Sequence, residues 1–329
     1  MTSTSTRLPY TVSIADEIHA DGIALARELF ERVILWSDED YDTWVTEADG
    51  ICNRAKRIPS ADLKKSQKVR VLSKQGVGVD TVDLDTCREK GITVCNTPGI
   101  NAESVAELSL GLTLSLLRRI TELDRRARAG ESNVATSVMG RSLYRKVIGV
   151  VGMGNIGRMT AEKFQDASRC SVIAYDPYAP KDIWSAKGDL RAIEHTRVDS
   201  IEAMLDQVDV LSLHLPLLDS TRGLFDKSMF SRMKREAIII NAARGGIVNE
   251  KDLYEALSTR TIAGAALDAL ETEPPTKEAY GDNFYTLNNV VITPHLGAAT
   301  HEMQSLSATT VVRQLATLLQ GETISNIVC

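Results

Sequence analysis

The chain has 329 residues, of which 43% are hydrophobic and 25% charged, and this length favours two folded domains over one. A net charge of -6 without dense blocks of Lys and Arg argues against a nucleic-acid partner, whose phosphates a binding surface must neutralise. The N-terminal segment lacks a continuous apolar core of signal-peptide length, and no stretch reaches the length of a membrane helix. The five cysteines form no Cys-x-x-Cys pair, so we expect a cytoplasmic protein with reduced thiols, no metal and no membrane partner.

The first hundred residues contain short apolar runs separated by helical patterns, which is typical of a parallel sheet covered by helices. The predicted strands are Val33 to Trp36, Gly50 to Cys52, Val69 to Ser73 and Ile92 to Asn96. Residues 1–100 are therefore predicted to form the first part of a compact α/β domain.

A long helix is predicted next, from Asn101 to Ile120, because Val105, Leu108 and Leu112 recur at helical spacing. The segment from Thr121 to Lys146 is rich in charged and small polar residues and shows no sustained periodicity. We interpret it as an extended arm or surface crossing.

A second series of strands begins at Val147. Its predicted members are Val147 to Val151, Val172 to Tyr175, Val208 to Leu213, Ala237 to Asn241, Ile262 to Leu267 and Val290 to Thr293. A final helix follows, which Thr300 is suited to cap and Gly321 to end. Because the second sheet is complete before this helix, we predict that residues 298–329 return to the first domain. Residues 101–297 would then form a dinucleotide-binding domain inserted into it.

The second series opens with a glycine-rich turn. Gly152, Gly154 and Gly157 form G-x-G-x-x-G between the strand "VIGVV" and a helix. In a dinucleotide-binding turn the first glycine allows the tight bend, the second lets the backbone approach a pyrophosphate, and the third allows close helix–strand packing. Amides near Asn155 and Ile156 would face the anion. The alternative is a tight strand-to-helix turn that binds no ligand.

An acidic residue stands where such a domain binds the adenosine ribose. Asp176 ends the second strand of the series, "VIAYD", shortly after the glycine turn. A carboxylate there accepts hydrogen bonds from ribose hydroxyls and repels a 2′-phosphate. The sequence therefore favours NAD over NADP.

Several reactive side chains follow strands of the second series, at the sheet edge where open α/β sheets bind ligands. They are His214, Arg244, Asp268 and His295, with Glu273 shortly after Asp268. An arginine in a glycine-rich loop suits capture of a carboxylate, and a carboxylate beside an imidazole favours the protonated ring. Each residue also has a structural interpretation: His214 as a packed histidine, Asp268 as a turn cap, Arg244 as a surface ion pair, and Glu273 and His295 as unrelated polar residues.

These motifs together resemble the D-isomer-specific 2-hydroxyacid dehydrogenases, especially short D-3-phosphoglycerate dehydrogenases and glyoxylate/hydroxypyruvate reductases. The resemblance runs from about Asn53 to about Gly321. It rests on "SKQGVGVDTVDLDTCREKGITVCNTPGINAESVAE", "GVVGMGNIGR", "SLHLPLLDSTRGLF", "NAARGGIVNEKDLYEAL", "GAALDALETEPP" and "NVVITPHLGAAT". It implies a Rossmann-type dinucleotide-binding domain inserted into a flavodoxin-like substrate domain.

The resemblance also implies roles for individual residues. His295 would exchange a proton with the substrate oxygen, Glu273 would support its charged form, and Arg244 would hold the substrate. Cofactor contacts would include Gly152, Gly154, Asn155, Ile156, Gly157, Asp176, Leu215, Pro216, Thr221, Ala242, Ala243, Arg244, Asp268, His295, Gly297 and Ala298.

The first domain would complete the substrate site. Amides near Val77 and Gly78 would meet the substrate carboxylate, and Arg54 would reach a phosphorylated substrate, although Ala55 follows where phosphoglycerate enzymes often have a hydroxyl residue. The arm lacks the tryptophans that many relatives carry, so the resemblance gives less support to a clasp role of the arm in the expected homodimer. No serine-binding regulatory domain follows the last helix, so feedback of that kind is not expected.

The sequence thus predicts an NAD-dependent oxidoreductase that moves a hydride between nicotinamide and C2 of a small D-2-hydroxy or 2-oxo acid. Glyoxylate, hydroxypyruvate, 3-phosphoglycerate and related acids are the candidate substrates. The alternative is an NAD(H)-sensing corepressor-like binding protein of the same fold, for which little turnover is expected.

Overall fold

The computed structural model describes residues 7–131, 138–281 and 283–329. The chain forms two compact α/β units, one from Met1–Asn101 with Ala299–Cys329 and the other from Ala102–Ala298. We call them the discontinuous unit and the central unit. Within the described residues, no helix combines the length and apolar character needed to span a membrane. All five cysteines are free.

The discontinuous unit contains a five-stranded parallel sheet with the order β2-β1-β3-β4-β5, which is the flavodoxin-like order. The strands are β1 (Leu8–Ile14), β2 (Phe30–Leu35), β3 (Gly50–Asn53), β4 (Val71–Lys74) and β5 (Thr93–Cys95). Buried residues at successive positions, such as Val71 and Leu72, belong to different hydrophobic clusters because neighbouring strand residues point to opposite faces. Helices therefore cover both faces.

The strand Leu8–Ile14 was not among the predicted strands, and the prediction was wrong in omitting it. It lies inside the sheet, paired with both β2 and β3. Its apolar pattern is interrupted because Thr11 and Ser13 alternate with Val12 and Ile14, yet Ser13 is fully buried. A polar side chain on a two-sided buried strand hides the continuous apolar run that marks its neighbours.

The helices of this unit are α1 (Ala20–Leu29), α2 (Trp44–Glu47), α3 (Ser60–Lys65), α4 (Leu84–Lys90) and the C-terminal helix (His301–Leu319), with a 3-10 turn at Tyr41–Thr43. Thr300 caps the C-terminal helix by accepting a hydrogen bond from the Met303 amide at 3.2 Å, as its residue type predicts. That helix packs closely on the unit, since a Cβ at Gly22 would lie 2.7 Å from Ala308 Cβ.

The central unit contains a seven-stranded parallel sheet with the order β12-β11-β10-β9-β6-β7-β8. The strands are β6 (Val147–Val151), β7 (Ser171–Tyr175), β8 (Thr196–Arg197), β9 (Val210–Leu213), β10 (Ile238–Asn241), β11 (Gly264–Leu267) and β12 (Val290–Ile292). The strand order reverses direction between β6 and β9, which is the switch point of a doubly wound sheet. The Rossmann-type prediction is confirmed, although the short strand β8 was not predicted.

Both faces of this sheet are covered. Ile238 and Ile240 belong to one hydrophobic cluster and Ile239 to the other, as alternation along a strand requires. The helices are α5 (Ala102–Leu117), α6 (Ile120–Arg128), α7 (Asn155–Ser168), α8 (Glu202–Leu205), α9 (Lys227–Arg232), α10 (Glu250–Ser258), α11 (Lys277–Tyr280) and α12 (Asn283–Thr286), and we name the C-terminal helix α13.

The predicted extended arm, Thr121 to Lys146, is wrong in its first part, where α6 is helical. The buried carboxylate of Glu122 accepts two hydrogen bonds from the Arg119 guanidinium and lies 3.5 Å from that of Arg126. Charge pairs at helical spacing thus stabilise a segment that lacks apolar periodicity. Residues 132–137 of the arm lie outside the described residues.

Candidate active site

The glycine turn has the geometry that its spacing predicts. A Cβ at Gly152 would lie 2.3 Å from the His214 carbonyl oxygen, and Gly152 has a φ of +99°. A Cβ at Gly157 would lie 2.0 Å from the Gly152 carbonyl oxygen. Both positions therefore require glycine for packing alone.

Gly154 differs from its two neighbours. No described atom would lie within 4 Å of a Cβ there, so open space faces the turn. Gly154 and Asn155 are exposed, and α7 begins at Asn155 without a side-chain cap or an acidic residue in its first turn. The first amides of a helix attract anions. This open, uncapped turn fits a pyrophosphate, and residues of this chain would hold it through backbone amides.

Asp176 is tied to the same turn. Its carboxylate accepts hydrogen bonds from the amides of Met153 at 2.8 Å, Tyr178 at 2.9 Å and Ala179 at 3.1 Å. The fully buried Trp184 donates its indole N–H to the Met153 carbonyl at 2.9 Å. The turn is therefore held from both sides, and Asp176 lies beside it at the carboxyl end of β7.

The remaining candidates follow the carboxyl ends of β9 to β12. His214, after β9, bonds through Nε2 to Ser212 Oγ at 2.9 Å, while its Nδ1 is buried without a partner among the described residues. Desolvation lowers the pKa of His214 to about 3. A histidine that stays neutral at ordinary pH fits the packed interpretation rather than an acid/base role.

His295 and Glu273 lie together. His295 Nδ1 is 2.9 Å from Glu273 Oε2 and 3.1 Å from Oε1. The backbone of His295 is in the left-handed region, with a φ of +56°. Both side chains are partly exposed, His295 to 43% and Glu273 to 38%. Since Nδ1 faces the carboxylate, Nε2 is the nitrogen left to meet a substrate.

Each partner changes the pKa of the other. The hydrogen bond to Glu273 raises the pKa of His295, and the charges of Glu273 and Asp268 add to this against the opposing effects of burial and of Arg244. Burial raises the pKa of Glu273, but the hydrogen bond and charge of His295, the Leu270 amide and the charge of Arg244 together lower it below its ordinary value. The geometry therefore favours a protonated imidazole beside an ionised carboxylate.

Arg244 lies close enough to both residues for its charge to lower both pKa values. Its guanidinium Nη1 donates to its neighbour's carbonyl, that of Ala243, at 2.7 Å, and the residue is half-buried. His295 and Glu273, which follow separate strand ends, are thus in direct contact, and Arg244 lies within electrostatic reach of both.

Asp268 is 1% exposed, and its carboxylate is occupied by the chain itself. Oδ1 accepts from Thr293 Oγ1 and the Leu296 amide, both at 2.7 Å, and Oδ2 accepts from the Gly297 amide at 2.9 Å. The turn-cap interpretation is therefore confirmed. Asp268 holds the turn that carries His295, and a cofactor contact through it stays a prediction.

Two supporting residues were missed by sequence reasoning. Asn241 ends the apolar strand "IIIN" and is 1% exposed, and its side-chain amide donates to the carbonyls of Arg244 at 2.9 Å and Ala269 at 3.2 Å. A Cβ at Gly245 would lie 1.9 Å from the Leu270 carbonyl oxygen. Asn241 and Gly245 thus bring the Arg244 loop onto the loop before Glu273, and a buried polar residue closing an apolar strand was the available signal.

The cofactor contacts of the other predicted residues, such as Leu215, Pro216, Thr221 and Ala242, stay predictions. Pro216 is exposed, Leu215 and Ala242 are half-buried, and Thr221 donates its hydroxyl to the Pro216 carbonyl at 2.7 Å. Among the described residues no group of three or more His, Cys, Asp or Glu is placed to hold a metal ion.

Arg54, Val77 and Gly78 belong to the discontinuous unit. The Arg54 amide donates to Asp16 Oδ1 at 2.7 Å, and the Val77 carbonyl accepts from Asn96 Nδ2 at 2.8 Å. Val77 is 42% exposed. The loops are therefore anchored within their own unit, and their contacts with a substrate stay predictions.

The chain is similar to known dehydrogenases and reductases. A family model described as the NAD binding domain of D-isomer specific 2-hydroxyacid dehydrogenases matches residues 110–297. The chain is 36% identical over 321 residues to a D-3-phosphoglycerate dehydrogenase of Methanocaldococcus jannaschii, a match that covers 96% of this chain and 59% of that protein. It is 36% identical over 261 residues to a hydroxypyruvate reductase of Thermotoga maritima, a match that covers 79% of this chain and 81% of that protein.

Among solved structures, the TT0316 protein of Thermus thermophilus is 31% identical, with a TM-score of 0.82 over 97% of this chain and 100% of that one. The chain thus spans 59% of the length of the phosphoglycerate dehydrogenase and most of the length of the other two proteins.

Proposed function

The chain belongs to the D-isomer-specific 2-hydroxyacid dehydrogenase family, and on that premise we propose that it is an NAD-dependent oxidoreductase acting at C2 of a small D-2-hydroxy or 2-oxo acid. The observation that carries the proposal is the pairing of His295 with Glu273 at 2.9 Å beside Arg244. The glyoxylate, hydroxypyruvate and 3-phosphoglycerate relatives of the family define the substrate candidates.

His295 is the proposed general acid and base. With Nδ1 held by Glu273, its Nε2 delivers a proton to the substrate oxygen during reduction and removes it during oxidation. Glu273 stabilises the imidazolium and fixes the orientation of the ring. General acid/base catalysis of this kind contributes about a hundredfold to ten-thousandfold in rate.

Arg244 is the proposed substrate holder. A guanidinium forms two parallel hydrogen bonds with a carboxylate, which fixes the acid relative to His295, and its charge stabilises negative charge developing on the reacting oxygen. When bound, NAD supplies the hydride acceptor or donor for C2. The proposed NAD contacts are the amides of the turn at Gly154, Asn155 and Ile156, with Asp176 selecting NAD over NADP.

Oxidation of NADH, followed by its absorbance, with hydroxypyruvate, glyoxylate, phenylpyruvate and 3-phosphohydroxypyruvate tests the proposal. We expect turnover with at least one of these acids, and its loss in His295→Ala. Absence of turnover with the whole panel, together with tight NADH binding, would instead favour the corepressor-like alternative. Comparison of phosphorylated with unphosphorylated acids tests the proposed role of Arg54.

We also propose that the protein is a homodimer. Supporting this, large apolar side chains around the arm are exposed, with Ile120 at 54%, Met139 at 89% and Tyr144 at 51%. Exposed large apolar side chains are candidates for burial in an interface. Light scattering coupled to size-exclusion chromatography should give twice the chain mass, and Met139→Glu should lower it.

A further inference from the structure

Three consecutive backbone amides of the loop before Glu273 are each held by a side chain. The Leu270 amide donates to Glu273 Oε1 at 3.2 Å, the Glu271 amide to Glu250 Oε1 at 2.8 Å, and the Thr272 amide to Tyr280 Oη at 2.8 Å. A loop that has three successive amides bound to side chains, two of them on helices, has less freedom to change the direction of the residue it carries.

The two outer side chains come from different helices. Glu250 is the first residue of α10, directly after the Asn249 cap, and Tyr280 is the last residue of α11. The Tyr280 hydroxyl also lies 3.5 Å from Glu250 Oε1. Glu250 and Tyr280 therefore form one hydrogen-bonded group with the loop, and we call these two side chains the brace.

The opposite side of the loop is closed by backbone packing. The Leu270 carbonyl oxygen lies against Gly245, where a Cβ would be only 1.9 Å away. The brace thus holds the loop against the segment that carries Arg244, so Glu273 and Arg244 depend on the same packing.

We propose that Glu250 and Tyr280 are positioning residues that hold Glu273 in the orientation that pairs with His295. This inference rests on the proposed function, and it adds two residues that act on Glu273 through the backbone of its loop. Glu250 is half-buried and faces the carboxylates of Glu271 and Glu273 and the hydroxyl of Tyr280, while His295 faces Glu273, Asp268 and Arg244.

A carboxylate near two others is destabilised unless hydrogen bonds offset the repulsion. Burial raises the pKa of Glu250, and the charges of Glu271 and Glu273 add to the effect, whereas the Glu271 amide and Tyr280 oppose it. The hydrogen bond from the Glu271 amide thus offsets part of the repulsion between the Glu250 carboxylate and its two acidic neighbours.

The test measures the His295 imidazole pKa by NMR titration of the enzyme without substrate, together with the pH profile of kcat/KM. Glu250→Ala removes the acceptor, and we expect the His295 pKa to fall by about one unit, a tenfold change in its protonation equilibrium. Glu250→Gln keeps an oxygen acceptor and should restore the wild-type value. Tyr280→Phe removes only the hydroxyl and should also lower the pKa, so the test stands if Glu250→Ala fails to fold.

Glu255→Ala is the matched control, because Glu255 lies on the same helix and pairs with the exposed Lys227 at 2.6 Å. It should leave both readouts unchanged. Wild-type His295 pKa values in both Glu250→Ala and Tyr280→Phe, while Glu273→Gln shifts the value, would overturn the brace and leave the proposed function intact. A Glu250→Gln value equal to that of Glu250→Ala would overturn it in favour of a pure charge effect. An unshifted value in Glu273→Gln would contradict the catalytic pairing itself.

Discussion

Asp268 holds the backbone of His295: its carbonyl accepts the His295 amide at 2.9 Å while its carboxylate accepts the next two amides, at Leu296 and Gly297. His295 has a φ of +56°, a conformation that costs an ordinary residue about 1–2 kcal/mol. The imidazole is therefore placed by a strained backbone that a buried carboxylate stabilises.

Asp268→Ala should be strongly destabilising as well as inactivating. It leaves the amides of Leu296 and Gly297 without their acceptor, and an unsatisfied buried donor costs about 1–3 kcal/mol. We expect a loss of about 3 kcal/mol in the free energy of unfolding by urea denaturation. Asp219→Ala, at an exposed position, is the control. Equal stability of the two variants would show that the carboxylate does not hold this turn.

The glycines of the turn should separate folding from cofactor binding. Gly154→Ala places a methyl group in open space, so the protein should fold normally but bind NADH more weakly, because the methyl group would stand where a pyrophosphate approaches. Gly157→Ala forces a Cβ to within 2.0 Å of a carbonyl oxygen and should prevent stable folding. Thermal unfolding and NADH fluorescence titration measure the two effects. Unchanged NADH affinity in a folded Gly154→Ala variant would place the pyrophosphate elsewhere.

Arg244→Lys should behave much like Arg244→Ala, because a lysine cannot form the planar pair of hydrogen bonds that a carboxylate accepts from a guanidinium. We expect kcat/KM for the best 2-oxo acid to fall by about a hundredfold or more, with a raised KM. Arg222→Lys is the control, because the exposed Arg222 lies close to Gly246, and its kinetics should stay near those of the wild type. Near wild-type kinetics in Arg244→Lys would mean that this side chain supplies charge alone.

The His295–Glu273 pair should stabilise the fold within a limited pH window. Folding lowers the pKa of Glu273, so this residue contributes stability at pH values above its unfolded pKa of about 4.3. That contribution is lost as pH falls through its folded pKa. The raised pKa of His295 contributes stability below about pH 6.5, which is lost as pH rises through its folded value. The difference in unfolding free energy between the wild type and His295→Gln should therefore be largest at about pH 5 to 6, between the two unfolded pKa values, and shrink as pH rises through the folded pKa of His295. A difference independent of pH would argue against an ion pair.

The sequence predicts the buried strands of the central unit well because a parallel strand covered on both faces is a continuous apolar run. This rule misses the strand Leu8–Ile14, because the buried Ser13 interrupts its apolar run. Apolar periodicity likewise misses the helix α6, which the charges of Arg119, Glu122 and Arg126 stabilise. In the strand a buried polar residue interrupts the apolar run, and in the helix charge pairs take the place of apolar periodicity.

The catalytic candidates were found because carboxyl ends of parallel strands meet at one edge, so polar residues after separate strands converge there. Their support was not found. Asn241, Gly245 and Glu250 act through hydrogen bonds or close approaches to residues more than twenty positions away, and Tyr280 through a hydrogen bond to Thr272, and no local pattern encodes those partners.

The most direct test of the central claim is the pH profile of kcat/KM for NADH-dependent reduction of the best 2-oxo acid, measured for the wild type and Glu273→Gln. Reduction needs protonated His295, so wild-type kcat/KM should fall as pH rises through a pKa above about 6.5, and Glu273→Gln should move that fall to lower pH. Profiles that coincide, or a wild-type profile without this fall, would contradict the assignment of His295 as the acid that Glu273 supports.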